Sequence, residues 1–206
     1  MAGRQRLTPE IRRQQIIAAA RTLLLEKGYL PLPMEALAAQ AGVSKGLVYG
    51  YFPTQHDLFN AMLLEEFAAL EEAGLAAALS APGLAARTQA AAELYLRHVA
   101  LRGPALHYIL RDSYMAGRFD PQARRLRDRI LRGFARLARR ELRLPPQEAI
   151  AAVAMVIAIP EETGRLVWQG ELQLPRALEM AGRLVASSIS ALRPAGQASA
   201  SAVGER

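Results

Sequence analysis

The chain has 206 residues, of which 51% are hydrophobic, and it carries a formal net charge of +7. Alanine, leucine, arginine and glutamate dominate without any run of alternating β-branched residues, so the composition predicts an all-α fold. The absence of cysteine excludes disulfides and thiolate chemistry, while the positive charge suits a polyanionic partner.

The sequence pattern indicates neither a metal site nor a membrane-spanning helix. The three histidines, His56, His98 and His107, are too scattered to form a metal-ligand string, so we expect no metal and no cofactor. The longest apolar stretch, residues 149–159, is far shorter than the roughly 20 residues that cross a bilayer. We therefore expect a cytoplasmic chain with no membrane partner.

The first predicted helix runs from Pro9 to Lys27, with Thr8 as its N-cap and proline at its first position. Its inward face is formed by Ile16, Ile17, Ala20, Leu23 and Leu24. Arg4 and Arg6 precede this helix, and they form either an arm that follows a DNA backbone or an ordinary solvated terminus.

A second helix and a turn follow. Met34, Leu37, Ala38 and Ala41 recur at helical spacing on one face of a helix of about two turns. Gly42 then suits the positive φ that often ends a helix, and Ser44 suits the N-cap of the next one. The pattern predicts a helix-turn-helix, although a plain helical hairpin would show much the same string.

The second helix of a helix-turn-helix enters the major groove with its N-terminal residues on the base edges. The DNA-binding candidates are therefore Ser44, Lys45, Gly46, Leu47, Tyr49, Gly50, Tyr51 and Gln55, together with Arg4 and Arg6. Lys45 and Gly46 place a cation and a bare backbone where the helix N-terminus favours phosphate.

Residues 41–46 (Ala-Gly-Val-Ser-Lys-Gly), Val48-Tyr49, Tyr51-Phe52 and Leu58 together resemble the N-terminal domain of the TetR/AcrR family of bacterial transcriptional regulators. The chain departs from this pattern at Leu32-Pro33, where the family usually has two threonines. It departs again at Thr54-Gln55, where the family has serine and a phosphate-binding lysine. Gln55 can donate a hydrogen bond to phosphate but cannot neutralise its charge.

The remainder predicts a helical body. A helix with Thr54 and Asp57 as a capping box should run to about Leu79, and the next should end near Arg102. A shorter helix should carry Tyr114 and end near Gly117. Three further helices should start at about Pro121, Pro146 and Pro175. We thus expect a three-helix head over residues 1–53, a six-helix effector-binding and dimerisation body over 54–193, and a disordered tail over 194–206.

The long helix after Asp120 carries a row of cations at helical spacing, opposite an apolar arc. The row is Arg125, Arg129, Arg132, Arg136, Arg139 and Arg143, and the arc includes Ile130, Phe134, Leu137 and Ala138. The row is either a second nucleic-acid stripe or a solvated face, and the solvated face is favoured because the helix-turn-helix already accounts for DNA binding. Arg127 turns toward the apolar arc, where it would bind a ligand carboxylate or an internal glutamate.

Two further sets complete the candidate sites. Aromatic and polar residues in apolar surroundings are effector-binding candidates: Phe67, Tyr95, His98, His107, Tyr108, Tyr114, Arg127, Phe134, Glu161 and Trp168. The resemblance implies that the last two helices form a twofold dimer interface, with candidates Ile150, Val153, Ile157, Trp168, Ala181, Leu184, Val185 and Ser188.

The leading hypothesis is a homodimeric regulator that binds a palindromic operator in double-stranded DNA, most simply a repressor released by a small-molecule effector. A non-specific architectural DNA binder, with the arginine row as its working surface, is the first alternative. An all-α enzyme is the second, but the chain shows no nucleophile elbow or metal pair, and its adjacent Glu161-Glu162 point about 100° apart on a helix. We expect that the protein is not an enzyme.

Overall fold

A computed structural model describes residues 8–193. Over this range it contains ten α-helices, one 3-10 helix and no strand, and it confirms the predicted all-α fold. The helices are α1 (Pro9–Lys27), α2 (Met34–Gln40), α3 (Lys45–Tyr51), α4 (Gln55–Glu72), α5 (Leu75–Ser80), α6 (Gly83–Arg102), α7 (Ala105–Arg111), α8 (Pro121–Leu142), α9 (Pro146–Trp168) and α10 (Leu174–Ala191). The 3-10 helix, Ser113–Met115, follows α7. Arg4, Arg6 and the predicted tail, residues 194–206, lie outside the described residues.

Two predicted helices were too long. The helix expected to reach Leu79 ends at Glu72, because Gly74 takes a left-handed conformation (φ 104°) and α5 starts after it. The helix expected to carry Tyr114 to Gly117 ends at Arg111, because the Asp112 carboxylate accepts a hydrogen bond from the Tyr114 amide and starts the 3-10 turn. Between α3 and residue 193 the chain therefore holds seven α-helices rather than six.

The described helices form two compact units. The first comprises residues 8–67 together with Ala105–Ala123, and the second comprises Ala68–Pro104 and residues 124–193. The predicted boundary at residue 53 does not coincide with this division. Most of α4, from Gln55 to Phe67, and the segment that carries α7 and the 3-10 helix belong to the same compact unit as α1, α2 and α3.

The first unit has a dense apolar core and one buried ion pair. Its fully buried side chains include Ile16, Ile17, Leu24, Leu37, Leu58, Phe59, Met62, Leu63, Ile109 and Met115. Glu66 lies among the buried residues with only 1% of its surface exposed, and its Oε1 is 2.6 Å from the Arg21 guanidinium. This pair links α1 to α4 in a region from which water is largely excluded.

The second unit is built on α6, α9 and α10, which pack against one another. The crossing of α6 and α9 is close at Gly164, where a Cβ atom would lie 2.7 Å from Val99 Cβ and 2.9 Å from the Leu96 carbonyl oxygen. A neighbouring cluster joins Leu137, Ala138 and Leu142 of α8 to Val185 and Ile189 of α10. The predicted inward arc of α8 is therefore correct.

The arginine row of α8 is shorter than predicted. Arg125, Arg129, Arg132, Arg136 and Arg139 are exposed along one side of the helix. Arg143 lies beyond the end of α8 in a left-handed conformation (φ 57°), so it does not continue the helical spacing. Arg127 is half-buried, and its Nη2 lies 3.3 Å from the adjacent Asp128 carboxylate.

A side chain from α8 caps α6. Pro82 precedes α6 and offers no side-chain oxygen, but Glu141 Oε2 accepts a hydrogen bond from the Leu84 amide at 2.9 Å. This bond, with help from Arg140, holds the pKa of Glu141 below its ordinary value. The carboxylate therefore stabilises the second unit only while it is ionised.

Glu141→Gln is expected to lower the free energy of unfolding at neutral pH by about 1 kcal/mol, the usual worth of a helix cap. A pKa that is lower in the folded state means that the stabilisation is complete above the ordinary carboxyl range and is lost as the pH falls through the folded value. The difference between wild type and variant should therefore shrink in acid. Urea denaturation at a series of pH values measures it, with exposed Glu171→Gln as the control. A difference that did not change with pH would contradict this role.

Over residues 8–193, no single helix is long and apolar enough to cross a membrane. Helices α8 and α9 are long and apolar enough to cross a membrane only if they are counted as one span, and the chain bends by 115° between them.

Candidate nucleic-acid interface

The turn between α2 and α3 is held by short-range hydrogen bonds that the sequence predicts. Gly42 has φ 62°, and the Val43 amide returns to the Ala38 carbonyl oxygen at 3.0 Å. Ser44 caps α3, since its Oγ accepts a hydrogen bond from the Leu47 amide at 3.2 Å. From α1, Gln15 Nε2 donates to the Ala41 carbonyl oxygen at 2.7 Å and fixes the end of α2. The two short helices are therefore held at a defined angle.

Helix α3 is anchored on one side and open on the other. Val48 is fully buried, whereas Leu47 and Tyr49 each expose 40% of their surface. Tyr51, at the last position of α3, is partly exposed. Gly46 and Gly50 are also exposed, and nothing in the described chain occupies the space that a Cβ would fill at either position. Intramolecular packing does not require glycine there, so both positions let an external molecule approach the helix backbone closely.

A shallow open groove of about 360 Å³ runs beside the start of α3. It is lined by Arg12, Ala38, Ala39, Gly42, Val43, Ser44 and Leu47. Arg12 reaches it from α1, where its Nη1 donates to Gln15 Oε1 at 2.7 Å. Sequence reasoning did not select Arg12 as a site residue, because only the tertiary arrangement brings α1 beside the turn.

Lys45 is engaged with a carboxylate of its own chain. Its Nζ lies 2.5 Å from Glu35 Oε1, and both side chains are well exposed. The hydrogen bond and the opposite charge lower the pKa of Glu35 and raise the pKa of Lys45. A phosphate that bound Lys45 would have to compete with Glu35, a residue that sequence reasoning also missed as a participant.

Gln55 makes two hydrogen bonds that its predicted role did not include. Its Oε1 accepts from the Leu32 amide at 2.9 Å, and its Nε2 donates to the Leu32 carbonyl oxygen at 2.9 Å. Both polar ends of the amide are therefore used inside the first unit. A phosphate contact from the Gln55 side chain, as predicted, would require these bonds to break, so the structure supports a different role for this residue.

Comparison with known proteins agrees with this geometry. Residues 16–62 match the family model described as bacterial regulatory proteins, tetR family. A TetR-like transcriptional regulator from Rhodococcus sp. RHA1 is 25% identical, with 90% of this chain and 99% of that chain covered and a TM-score of 0.66. A tetR-family regulator from Streptomyces coelicolor is 27% identical over 90% and 82% of the chains, with a TM-score of 0.54.

Over residues 16–62 the chain matches the tetR family of bacterial regulatory proteins. The fold is also shared with the fatty acid degradation regulator FadR from Bacillus halodurans, at 18% identity, 88% and 97% coverage and a TM-score of 0.61. The search of curated proteins found no match to this chain. The family match spans α2, the turn and α3, so the predicted helix-turn-helix lies within the matched residues.

Glu35→Gln is expected to raise the affinity of the chain for duplex DNA by a few-fold and to steepen the salt dependence of binding. The reason is that Lys45 would no longer leave a carboxylate when it binds phosphate, and each full phosphate contact adds about 0.9 to the log-log slope. Fluorescence anisotropy with labelled DNA at several salt concentrations measures both quantities. Glu26→Gln, an equal charge change on α1, is the control. Equal effects of the two substitutions would show that net charge alone is responsible.

The predicted effector-binding residues fall into both units. Phe67, His107, Tyr108 and Tyr114 belong to the first unit, and Tyr95, His98, Arg127, Phe134, Glu161 and Trp168 to the second. The second unit brings three of its members together: Tyr95 donates a hydrogen bond to Glu161 at 3.1 Å, and its ring stacks against that of His98 at 6.4 Å. Phe134 packs against the apolar cluster of α8 and α10, and Trp168 is exposed at the end of α9.

In the first unit, Tyr114 packs against other aromatic rings and Phe67 lies in the core. Tyr114 stacks on His56 with ring centroids 4.4 Å apart and meets the edge of Phe59. Phe67 is buried, with 5% of its surface exposed. His107 and Tyr108 meet edge to face at 5.7 Å. Within residues 8–193 no group of three or more histidine, cysteine or acidic side chains is arranged to hold a metal ion.

The residues predicted to form the dimer interface differ in how much of their surface is exposed. Ile150 and Leu184 expose 63% and 51% of their surfaces, and Trp168 is also exposed. Val153, Ile157 and Ser188 are partly buried. Ala181 and Val185 are buried within their own chain, where they face α6 and α8, so the single chain does not expose them to a partner. Met155 and Met180 are exposed apolar residues on α9 and α10 that the prediction missed.

Proposed function

We propose that the chain is a homodimeric, sequence-specific DNA-binding transcriptional regulator that represses its target and is released by a small-molecule effector. The observation that carries the DNA-binding part is the surface of α3, where a buried Val48 fixes the helix and exposed Leu47 and Tyr49 face outward. An anchored helix with exposed polar and aromatic groups is what reading a major groove requires.

The proposal of a homodimer rests on exposed apolar side chains in the second unit. Ile150, Met155, Met180 and Leu184 are exposed on α9 and α10, although the same helices bury their other faces within the chain. Large exposed apolar groups on adjacent helices are typical of a protein interface. Two copies related by a twofold axis would present two α3 helices to a palindromic operator.

The proposal of an effector-binding site rests on a few polar side chains within an otherwise apolar unit. Tyr95, His98 and Glu161 lie close together on α6 and α9, and they offer a hydroxyl, an imidazole and a carboxylate among apolar neighbours. Such surroundings suit an apolar molecule that carries a few polar groups. Any effector that weakens operator binding must itself bind less tightly to the operator complex, by the same factor.

The test compares a duplex that carries the palindrome from the upstream region of the gene with a scrambled duplex of the same length. Tyr49→Ala is expected to reduce operator affinity by about tenfold or more, because a good base-edge contact contributes about 1–3 kcal/mol. Binding to the scrambled duplex should change little. Fluorescence anisotropy gives both affinities, and sedimentation of the complex should show two chains on each operator.

Tyr29→Ala is the matched control. Tyr29 is exposed in the same unit, but its neighbour Leu30 is bonded to Asp112 after α7 rather than to the helix-turn-helix. Equal, steeply salt-sensitive binding to both duplexes would contradict sequence-specific regulation and favour an architectural DNA-binding protein. Loss of discrimination in Tyr49→Ala alone would support the proposal and justify a screen for compounds that release the operator.

A further inference from the structure

Helix α8 carries a row of five arginines that the helix-turn-helix does not use. We call Arg125, Arg129, Arg132, Arg136 and Arg139 the arginine face. All five are exposed, and their alternating steps of four and three residues keep them on one side of the helix. At a rise of 1.5 Å per residue, the row is about 21 Å long. It is a rigid line of cations rather than a scattered surface charge.

The charge of this face is largely uncompensated within the described part of the chain. Arg132 pairs with Asp128 at 3.1 Å and exposes 72% of its side chain, whereas the other four have no carboxylate of residues 8–193 within 4 Å. The whole of α8 holds eight arginines and two acidic residues. Like charges three or four residues apart on a helix destabilise it by a few tenths of a kcal/mol per pair. The isolated chain thus keeps an unfavourable charge pattern that an anionic partner would relieve.

We propose that the arginine face binds the phosphate backbone of double-stranded DNA without sequence preference, as a second contact surface separate from α3. About 21 Å of duplex carries roughly 12 phosphates, so a line of guanidinium groups meets a dense and regular array of anions. Duplex DNA is the polyanion that the proposed function already brings to this chain, and the choice of DNA rests on that function. Neutralising phosphates releases counterions, which favours binding at low salt.

The surroundings of the face favour DNA over a membrane. Helices that lie on membranes insert an exposed apolar side between lipid headgroups. The apolar side of α8 is already buried, since Leu137, Ala138 and Leu142 belong to the core cluster of the second unit. The exposed side therefore offers guanidinium groups and no large apolar side chain for insertion.

The test uses the full chain with Tyr49→Ala, so that sequence reading by α3 is removed. Arg129→Gln with Arg136→Gln is compared with Arg97→Gln and Arg176→Gln, two exposed arginines on α6 and α10 whose loss changes the net charge equally. Affinity for a labelled random duplex is measured at a series of salt concentrations. The first pair should lower the log-log salt slope by about 2, or about 0.9 for each phosphate contact, and the second pair should leave it nearly unchanged.

Circular dichroism and the thermal midpoint check that both double variants fold, and sedimentation checks their oligomeric state. Equal losses in the two variants, or no loss in either, would overturn the proposal. It would also be overturned if the arginine-face variant kept its DNA affinity and lost binding only to anionic phosphatidylglycerol vesicles or to polyglutamate. Operator discrimination is measured separately without Tyr49→Ala, where the arginine-face variant should keep the wild-type ratio. A failure of the regulator proposal would thus appear in that ratio and not in the slope comparison.

Discussion

Arg21→Met is expected to lower the free energy of unfolding of the first unit by about 3 kcal/mol or more. The guanidinium of Arg21 is 2.6 Å from the carboxylate of Glu66, which is almost completely buried. Removing one partner of a buried ion pair leaves a charge that water cannot reach, and such changes typically cost about 3–5 kcal/mol. Methionine keeps much of the apolar stem, so the loss should reflect charge rather than volume. Denaturant unfolding followed by circular dichroism measures the effect.

Two further variants separate the pair from the surface charges around it. Arg13 lies on the same helix, but it is more exposed and its Nη1 is 3.9 Å from Glu65. Arg13→Met should therefore cost no more than about 1 kcal/mol, as is usual for exposed pairs. The double variant Arg21→Met with Glu66→Leu should recover much of the lost stability, because the buried carboxylate that faces Arg21 is removed as well. If Arg21→Met cost as little as Arg13→Met, the buried pair would not have the assigned role.

Gly164→Ala is expected to destabilise the second unit by about 1–3 kcal/mol, although alanine is the better helix former. The added Cβ would lie 2.7 Å from Val99 Cβ and 2.9 Å from the Leu96 carbonyl oxygen, and both residues are fully buried. A backbone oxygen cannot rotate aside as a side chain can, so α6 and α9 would have to separate. The thermal midpoint and denaturant unfolding both report this change.

The matched control has the opposite expected sign. A Cβ at Gly133, in the interior of α8, would meet nothing within 4 Å in the described structure. Gly133→Ala should therefore raise the free energy of unfolding by about 0.5–1 kcal/mol through helix propensity alone. If both alanine variants were stabilised, the crossing of α6 and α9 would be less close than the structure indicates.

The features that sequence reasoning predicted correctly depend on short-range chemistry. The caps at Thr8 and Ser44 and the turn at Gly42 all involve partners within four or five residues, so residue type and spacing were sufficient. Leu47 and Tyr49, both predicted to be DNA-binding, are exposed on α3. The helix-turn-helix was predictable because its geometry is encoded almost entirely within itself.

The features that were missed depend on partners far along the chain. Gln55 was predicted to contact a DNA phosphate, but its side-chain amide is hydrogen-bonded to the backbone of Leu32, 23 residues earlier. Ala181 and Val185 were assigned to a second subunit because periodicity shows that a face is apolar and not which neighbour covers it. The break at Gly74 had a local signal, a glycine after two glutamates, which the regular apolar spacing outweighed.

The Gln55 bridge has a mechanical consequence. Where the family pattern has a lysine that binds DNA from outside, this chain has an amide that joins the start of α4 to the segment before α2. His56 and Asn60 attach the same part of α4 to the 3-10 helix and to Arg118. A displacement that reaches the start of α4 would therefore carry Leu32 and α2 with it rather than bend the chain at Pro53. Helices α2 and α3 would then move together with the start of α4 as one rigid body, and the angle between α2 and α3 would not change.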